Sequence, residues 1–158
     1  MSSLWLWILG VLLLLGARAF TAPTVMTAEE LEHLSHAEPG EKIYYGSDKW
    51  QFGELYLPDG PGPFPVIAYF HGGCWLAAYG DLTNSRPIAH ALTELGAAVW
   101  SIEYRRIGNE GAGWPGTFLD AGHGIDYLSE LAEIYPLDLT QVMSMGHSAG
   151  GHLALWVA

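Results

Sequence analysis

A serine stands at the centre of Gly146-His147-Ser148-Ala149-Gly150, and the apolar run Val142–Met145 leads directly into it. A hydroxyl is a poor nucleophile at neutral pH. It needs an exposed position, a base to take its proton and N–H donors for the oxyanion that forms. An apolar strand, a sharp turn with Ser148 at its apex and a helix of small residues from Ala149 onward would meet the first need. Gly146 and Gly150 would let strand and helix approach closely around a strained residue. The amide of Ala149 would lie at the helix N-terminus, where negative charge is favoured. The pattern implies acyl transfer with Ser148 as nucleophile, while His147, the variable residue of the turn, shapes the pocket.

A second constellation, His71-Gly72-Gly73-Cys74-Trp75, follows the apolar run Val66–Phe70. A glycine pair there could turn backbone amides toward a substrate carbonyl, because glycine reaches dihedrals that other residues rarely adopt. Alone, the pair also reads as an ordinary turn. Upstream of the serine pentapeptide, Gly72 and Gly73 read as oxyanion donors.

These residues must be held by a scaffold. Val66–Phe70, Ala97–Ile102 and Val142–Met145 are nearly continuous apolar runs, which suit strands buried on both faces of a parallel sheet. Between them, 85–95 repeats Ile88, Ala91, Leu92 and Leu95 at helical spacing, and 117–135 does so with Leu119, Ile125, Leu128, Leu131 and Ile134. Upstream, 42–45 and 50–57 carry β-formers and close on Pro58-Asp59-Gly60, which predicts an antiparallel pair at a sheet edge. Alternating strand and helix predicts an α/β fold.

The other titratable residues have weaker claims. His152 lies on the outgoing helix, four residues past Ser148, and is expected to pack against neighbours. Asp120, His123 and Asp126 precede the serine, and His33, His36 and His90 lack convincing zinc-ligand spacing. No metal or cofactor is expected. The single cysteine, Cys74, reads as a small buried hydrophobe or as a free thiol near the site.

Half of the 158 residues are hydrophobic, 15% are charged and the formal charge is −11, a globular composition whose acidity argues against nucleic acid and anionic membranes as partners. Leu4–Gly16 is apolar and Ala17-Arg18-Ala19 follows in small-x-small order, which predicts a signal peptide over 1–19 and a secreted or lumenal protein. The run is short for a membrane span, which takes about 20 residues, so an uncleaved anchor is the lesser expectation. Thr27 and Glu30 form a weak capping pattern in a lead-in segment over 20–40, and 41–158 would be the domain proper.

Taken together, His71-Gly72-Gly73-Cys74-Trp75, Glu103-Tyr104-Arg105-Arg106, the segment 113–120 (GWPGTFLD) and the segment 146–155 (GHSAGGHLAL) resemble the amino-terminal portion of an α/β-hydrolase of the esterase and lipase type. The similarity extends to carboxylesterases related to hormone-sensitive lipase, to kynurenine formamidase and to feruloyl and acetylxylan esterases. The resemblance implies a mostly parallel sheet with helices on both faces. It also implies hydrolysis of a small-molecule carboxylic ester without a cofactor, with Ser148 as nucleophile and the amides of Gly72, Gly73 and Ala149 as oxyanion hole. Trp75 would flank the acyl pocket or brace the loop, and Tyr104 and Arg105 would tie loops together. Pro115 would open the next helix, and Asp120 would hydrogen-bond to the loops. In this fold the triad acid and histidine follow the serine. Only eight residues follow Gly150, so the chain is expected to be a fragment cut after the nucleophile turn. A peptidase or arylformamidase of the same fold, or a non-catalytic binding protein, are the alternatives.

Overall fold

The computed structural model describes residues 37–158; the expected signal peptide and most of the lead-in segment lie outside the described residues. Five strands form one mixed sheet, β1 (Glu41–Tyr44), β2 (Phe52–Tyr56), β3 (Phe64–Phe70), β4 (Ala98–Ile102) and β5 (Leu137–Gly146), in the spatial order β1-β2-β4-β3-β5. The β1–β2 and β2–β4 pairings are antiparallel, and β4–β3 and β3–β5 are parallel. The helices are α1 (Arg86–Glu94), α2 (Gly116–Asp126), α3 (Leu128–Ala132) and α4 (Ala149–Val157).

The parallel centre follows from the apolar runs. Along β3, Val66, Ala68 and Phe70 join Trp100, Ile102, Leu128, Leu131 and Leu153 in one buried cluster. Tyr69 points the other way, to Val99 and Ala89, with Ile67 and Met145 packed alongside. Alternate residues of one strand thus serve two cores, α1 covering one face and α2, α3 and α4 the other, which is why these strands need apolar residues at every position.

The third apolar run lies at the open edge, and beside it an uncovered helix face, expected of a sheet cut after the nucleophile helix. β5 is the edge of the described sheet, and Val142 and Met143 are 44% and 61% exposed instead of buried on both faces. The outer side of α4 matches it, with Leu155 and Trp156 exposed. The strand also starts earlier than its apolar run, because it bulges: Pro65 pairs with Asp138, but Val66 pairs with Val142. Asp138 accepts from the Thr140 hydroxyl and amide and from Gln141, which satisfies donors in the bulge and lowers its carboxyl pKa, the Thr140 hydroxyl bond first.

The helix expected over 117–135 is two. Gly122 and Gly124, poor helix formers, precede the break at Tyr127, whose φ of −65° and ψ of −14° tighten the chain before α3. Pro115 precedes the first residue of α2, as expected.

Candidate active site

The turn between β5 and α4 is held by contacts that leave no room for side chains. A Cβ on Gly146 would lie 2.3 Å from the Gly150 carbonyl oxygen, and one on Gly150 would lie 2.0 Å from that of Phe70. Ser148 between them has φ of 53° and ψ of −117°, a conformation that costs a non-glycine residue about 1–3 kcal/mol. Three bonds hold it there: His147 N–H to Phe70 O at 3.3 Å, Gly150 N–H to His147 O at 2.9 Å and His152 N–H to Ser148 O at 3.3 Å. Ser148 is exposed, and its hydroxyl makes no capping bond to α4.

The loop after β3 closes on this turn. A Cβ on Gly72 would stand 2.8 Å from His147 Nδ1, 3.1 Å from the His147 carbonyl oxygen and 3.5 Å from Ser148 Cβ, so a larger residue would press on the turn beside the serine. Gly73, Cys74 and Trp75 all have positive φ, at 118°, 51° and 58°, and the Leu76 N–H closes onto Gly73 O at 2.8 Å. Among the described residues, the N–H groups of Gly72, Gly73 and Ala149 donate to no backbone or side-chain acceptor. The exposed hydroxyl on a strained turn and the unpaired amides meet two of the three needs of such a nucleophile, and a base to take its proton is the third.

Cys74 is an exposed free thiol on this loop, against the expectation of a buried hydrophobe. Its place among consecutive left-handed residues turns it outward. The two expected substrate contacts separate. His147 is exposed and lines a cleft of about 250 Å³ with His71, Gly72, Gly73, Tyr79 and Asn84. Trp75 lines a different, largely apolar cleft of about 190 Å³ with Ile107, Trp114 and Phe118. Its ring also meets that of His152 edge-on at 5.5 Å, and His152 meets Phe118 at 5.6 Å. His152 thus contacts two neighbouring rings, as its place on the helix suggested, although the residue stays exposed.

Asp120 is fully buried and fully used. It accepts from Arg105 Nε at 2.8 Å, Arg105 Nη2 at 2.7 Å, the Arg105 amide at 2.9 Å and Gln51 Nε2 at 2.8 Å. The Asp120 bonds come first among the causes that raise the Arg105 pKa, and the pair ties α2 to the segment after β4. Asp120→Ala should cost about 3–5 kcal/mol in urea unfolding, because it strands several donors at once. A loss under about 1 kcal/mol would mean that water replaces the carboxylate.

Tyr104 ties loops together, as expected, through its hydroxyl on the His71 carbonyl, while the pairing of His71 with Glu103 beneath the Gly72–Gly73 loop was not foreseen. His71, Glu103 and Tyr104 are buried together beneath it, with the His71 and Tyr104 rings stacked at 4.4 Å between centroids. The adjacency of Glu103 and Tyr104 in sequence hinted at a cluster, but not at its target.

Residues 54–158 match the BD-FAE family model. A rice (Oryza sativa subsp. japonica) protein named as a probable isoprenylcysteine alpha-carbonyl methylesterase is 34% identical over 120 residues, covering 71% of this chain and 26% of its own length. An Arabidopsis thaliana relative of the same description is 32% identical, and the match spans 23% of it. The chain thus spans about a quarter of the length of these relatives. Among solved structures, a thermophilic esterase of Thermogutta terrifontis with butyrate bound superposes with a TM-score of 0.66 at 25% identity, over 73% of this chain and 43% of that one. A bacterial heroin esterase gives 0.66 at 28%, over 78% and 40%. The sheet order, the strained serine turn and these likenesses agree: the chain has the α/β-hydrolase fold and belongs to the BD-FAE family.

Proposed function

We propose that the protein hydrolyses small carboxylic esters through an acyl-serine intermediate on Ser148, with the amides of Gly72, Gly73 and Ala149 receiving the oxyanion and His147 and Trp75 bordering the substrate. The observation that carries this reading is the meeting of two strained segments. Ser148 at φ 53° stands beside Gly72, where an added Cβ would lie 3.5 Å from Ser148 Cβ and 3.1 Å from the His147 carbonyl oxygen. Attack by Ser148 Oγ on the ester carbon forms a tetrahedral oxyanion, which expels the alcohol; water then releases the acid from the acyl-serine.

The reaction needs a base, and His152, edge-on to Trp75 and Phe118, makes no hydrogen bond to Ser148 Oγ among the described residues. The exposed β5 edge and the apolar outer side of α4 support a reading in which further strands and helices cover them and bring the acid and histidine. On this reading 1–158 is the amino-terminal part of a longer secreted or lumenal enzyme. The natural protein should cleave p-nitrophenyl acetate, whereas residues 37–158 alone should not exceed the residual rate left to a serine without its base. Equal rates from both would remove the need for a downstream histidine. No turnover by the natural protein on a panel of short acyl esters would end the esterase reading.

A further inference from the structure

We infer that Glu103 and Tyr104 are positioning residues for the oxyanion hole, setting both of its loop peptides through His71; this rests on the serine-esterase reading above. Glu103 and Tyr104 follow β4, and His71 follows β3, so the parallel β3–β4 pairing brings them together at one end of the sheet. Glu103 is 1% exposed and surrounded by donors. Its Oε1 accepts from the Tyr104 amide at 2.9 Å and lies 2.9 Å from His71 Nε2, its Oε2 accepts from the Leu82 amide at 3.0 Å, and Arg106 Nε is 3.4 Å away. In that setting Glu103 is an acceptor, so His71 Nε2 donates. The other ring nitrogen, Nδ1, lies 2.6 Å from the Gly72 carbonyl, which can only accept. The His71 ring therefore bridges the Glu103 carboxyl and the Gly72 carbonyl.

The consequence lies in the peptide planes. In a trans peptide the C=O and the following N–H point in opposite directions. The Tyr104 hydroxyl donates to the His71 carbonyl at 2.7 Å, which turns the Gly72 N–H to the far side of the loop. His71 Nδ1 holds the Gly72 carbonyl, which does the same for the Gly73 N–H. Each proposed loop donor thus has its carbonyl partner fixed from below, one by Tyr104 and one by Glu103 through the His71 ring. Burial first, then the Glu103 charge, push the Tyr104 hydroxyl pKa up, so it remains a donor across the working range.

The experiment compares the natural full-length protein with Glu103→Gln and Tyr104→Phe on p-nitrophenyl acetate, with active sites titrated by a fluorophosphonate so that each rate refers to folded, serine-competent enzyme. Deleting an oxyanion donor outright lowers kcat by about 10²–10³-fold, so misaiming one should lower kcat by about tenfold or more in each variant, with KM within about twofold. A trifluoromethyl ketone, whose tetrahedral adduct places charge in the hole, should bind more weakly by the same factor. A merely structural role would lower the titrated fraction and leave kcat per site unchanged, and that result overturns the inference. If Glu103→Gln yields no folded protein, Tyr104→Phe decides, since it removes one oxygen and keeps the ring stack. A wild-type protein with neither turnover nor a labelled Ser148 would instead sink the esterase reading itself.

Discussion

Ser148→Ala should reduce ester turnover by the natural protein by about 10⁴–10⁶-fold in kcat while leaving its melting temperature unchanged, because removing a serine nucleophile costs up to about 2 × 10⁶ in a comparable triad. The structure separates the two halves of this expectation. The Ser148 side chain is exposed and forms no capping bond to α4, so its hydroxyl contributes little to the fold. The turn's cost lies in the backbone, at φ 53°, which alanine bears as serine does. A large loss of rate with no loss of stability would therefore identify a chemical role. An Ala variant that kept a tenth of the wild-type kcat would assign the chemistry to another residue.

Gly150→Ala should do the reverse and remove the fold, at a cost of about 4 kcal/mol or more, the range reserved for backbone conflict and buried overpacking. The added methyl would stand 2.0 Å from Phe70 O and 2.5 Å from His71 O. Both atoms belong to the end of β3 and the loop that follows it, and neither can swing aside as a flexible side chain would. Gly122→Ala is the contrast: its nearest neighbour would be the Trp156 ring at an ordinary 3.7 Å, within α2, and alanine there should stabilise by about 0.5–1 kcal/mol through helix propensity. Urea unfolding of both variants of the natural protein checks the pair. Equal small effects would mean that α4 can shift away from β3.

What could be read from the sequence is what carries its own local physics. The glycines of Gly146-His147-Ser148-Ala149-Gly150 and His71-Gly72-Gly73 announce close approach, and the structure gives the atoms they approach. The unbroken apolar character of Val66–Phe70 and Ala98–Ile102 announces two covered faces. The same character at Val142–Met145 belongs to the edge strand of the described sheet, the open edge expected of a sheet cut after the nucleophile helix, since composition says what can be buried and not what covers it. Cys74 was misplaced for a related reason: its polarity suits an interior, but the left-handed run from Gly73 to Trp75 turns it outward. The His71–Glu103 pair joins positions 32 residues apart, a relation fixed by β3–β4 register and by no spacing rule. Trp75 and His147 flank Gly72 and Ser148 in sequence, yet they line different clefts, because the loop reverses at Gly73.

The central claim is that Ser148 is the nucleophile. The most direct measurement treats the natural protein with an organophosphate such as diisopropyl fluorophosphate, follows the loss of p-nitrophenyl acetate turnover, and maps the adduct by tandem mass spectrometry. One adduct on Ser148, formed in step with the loss of turnover, is the predicted result; full turnover with Ser148 unmodified, or inactivation through an adduct elsewhere, would contradict it.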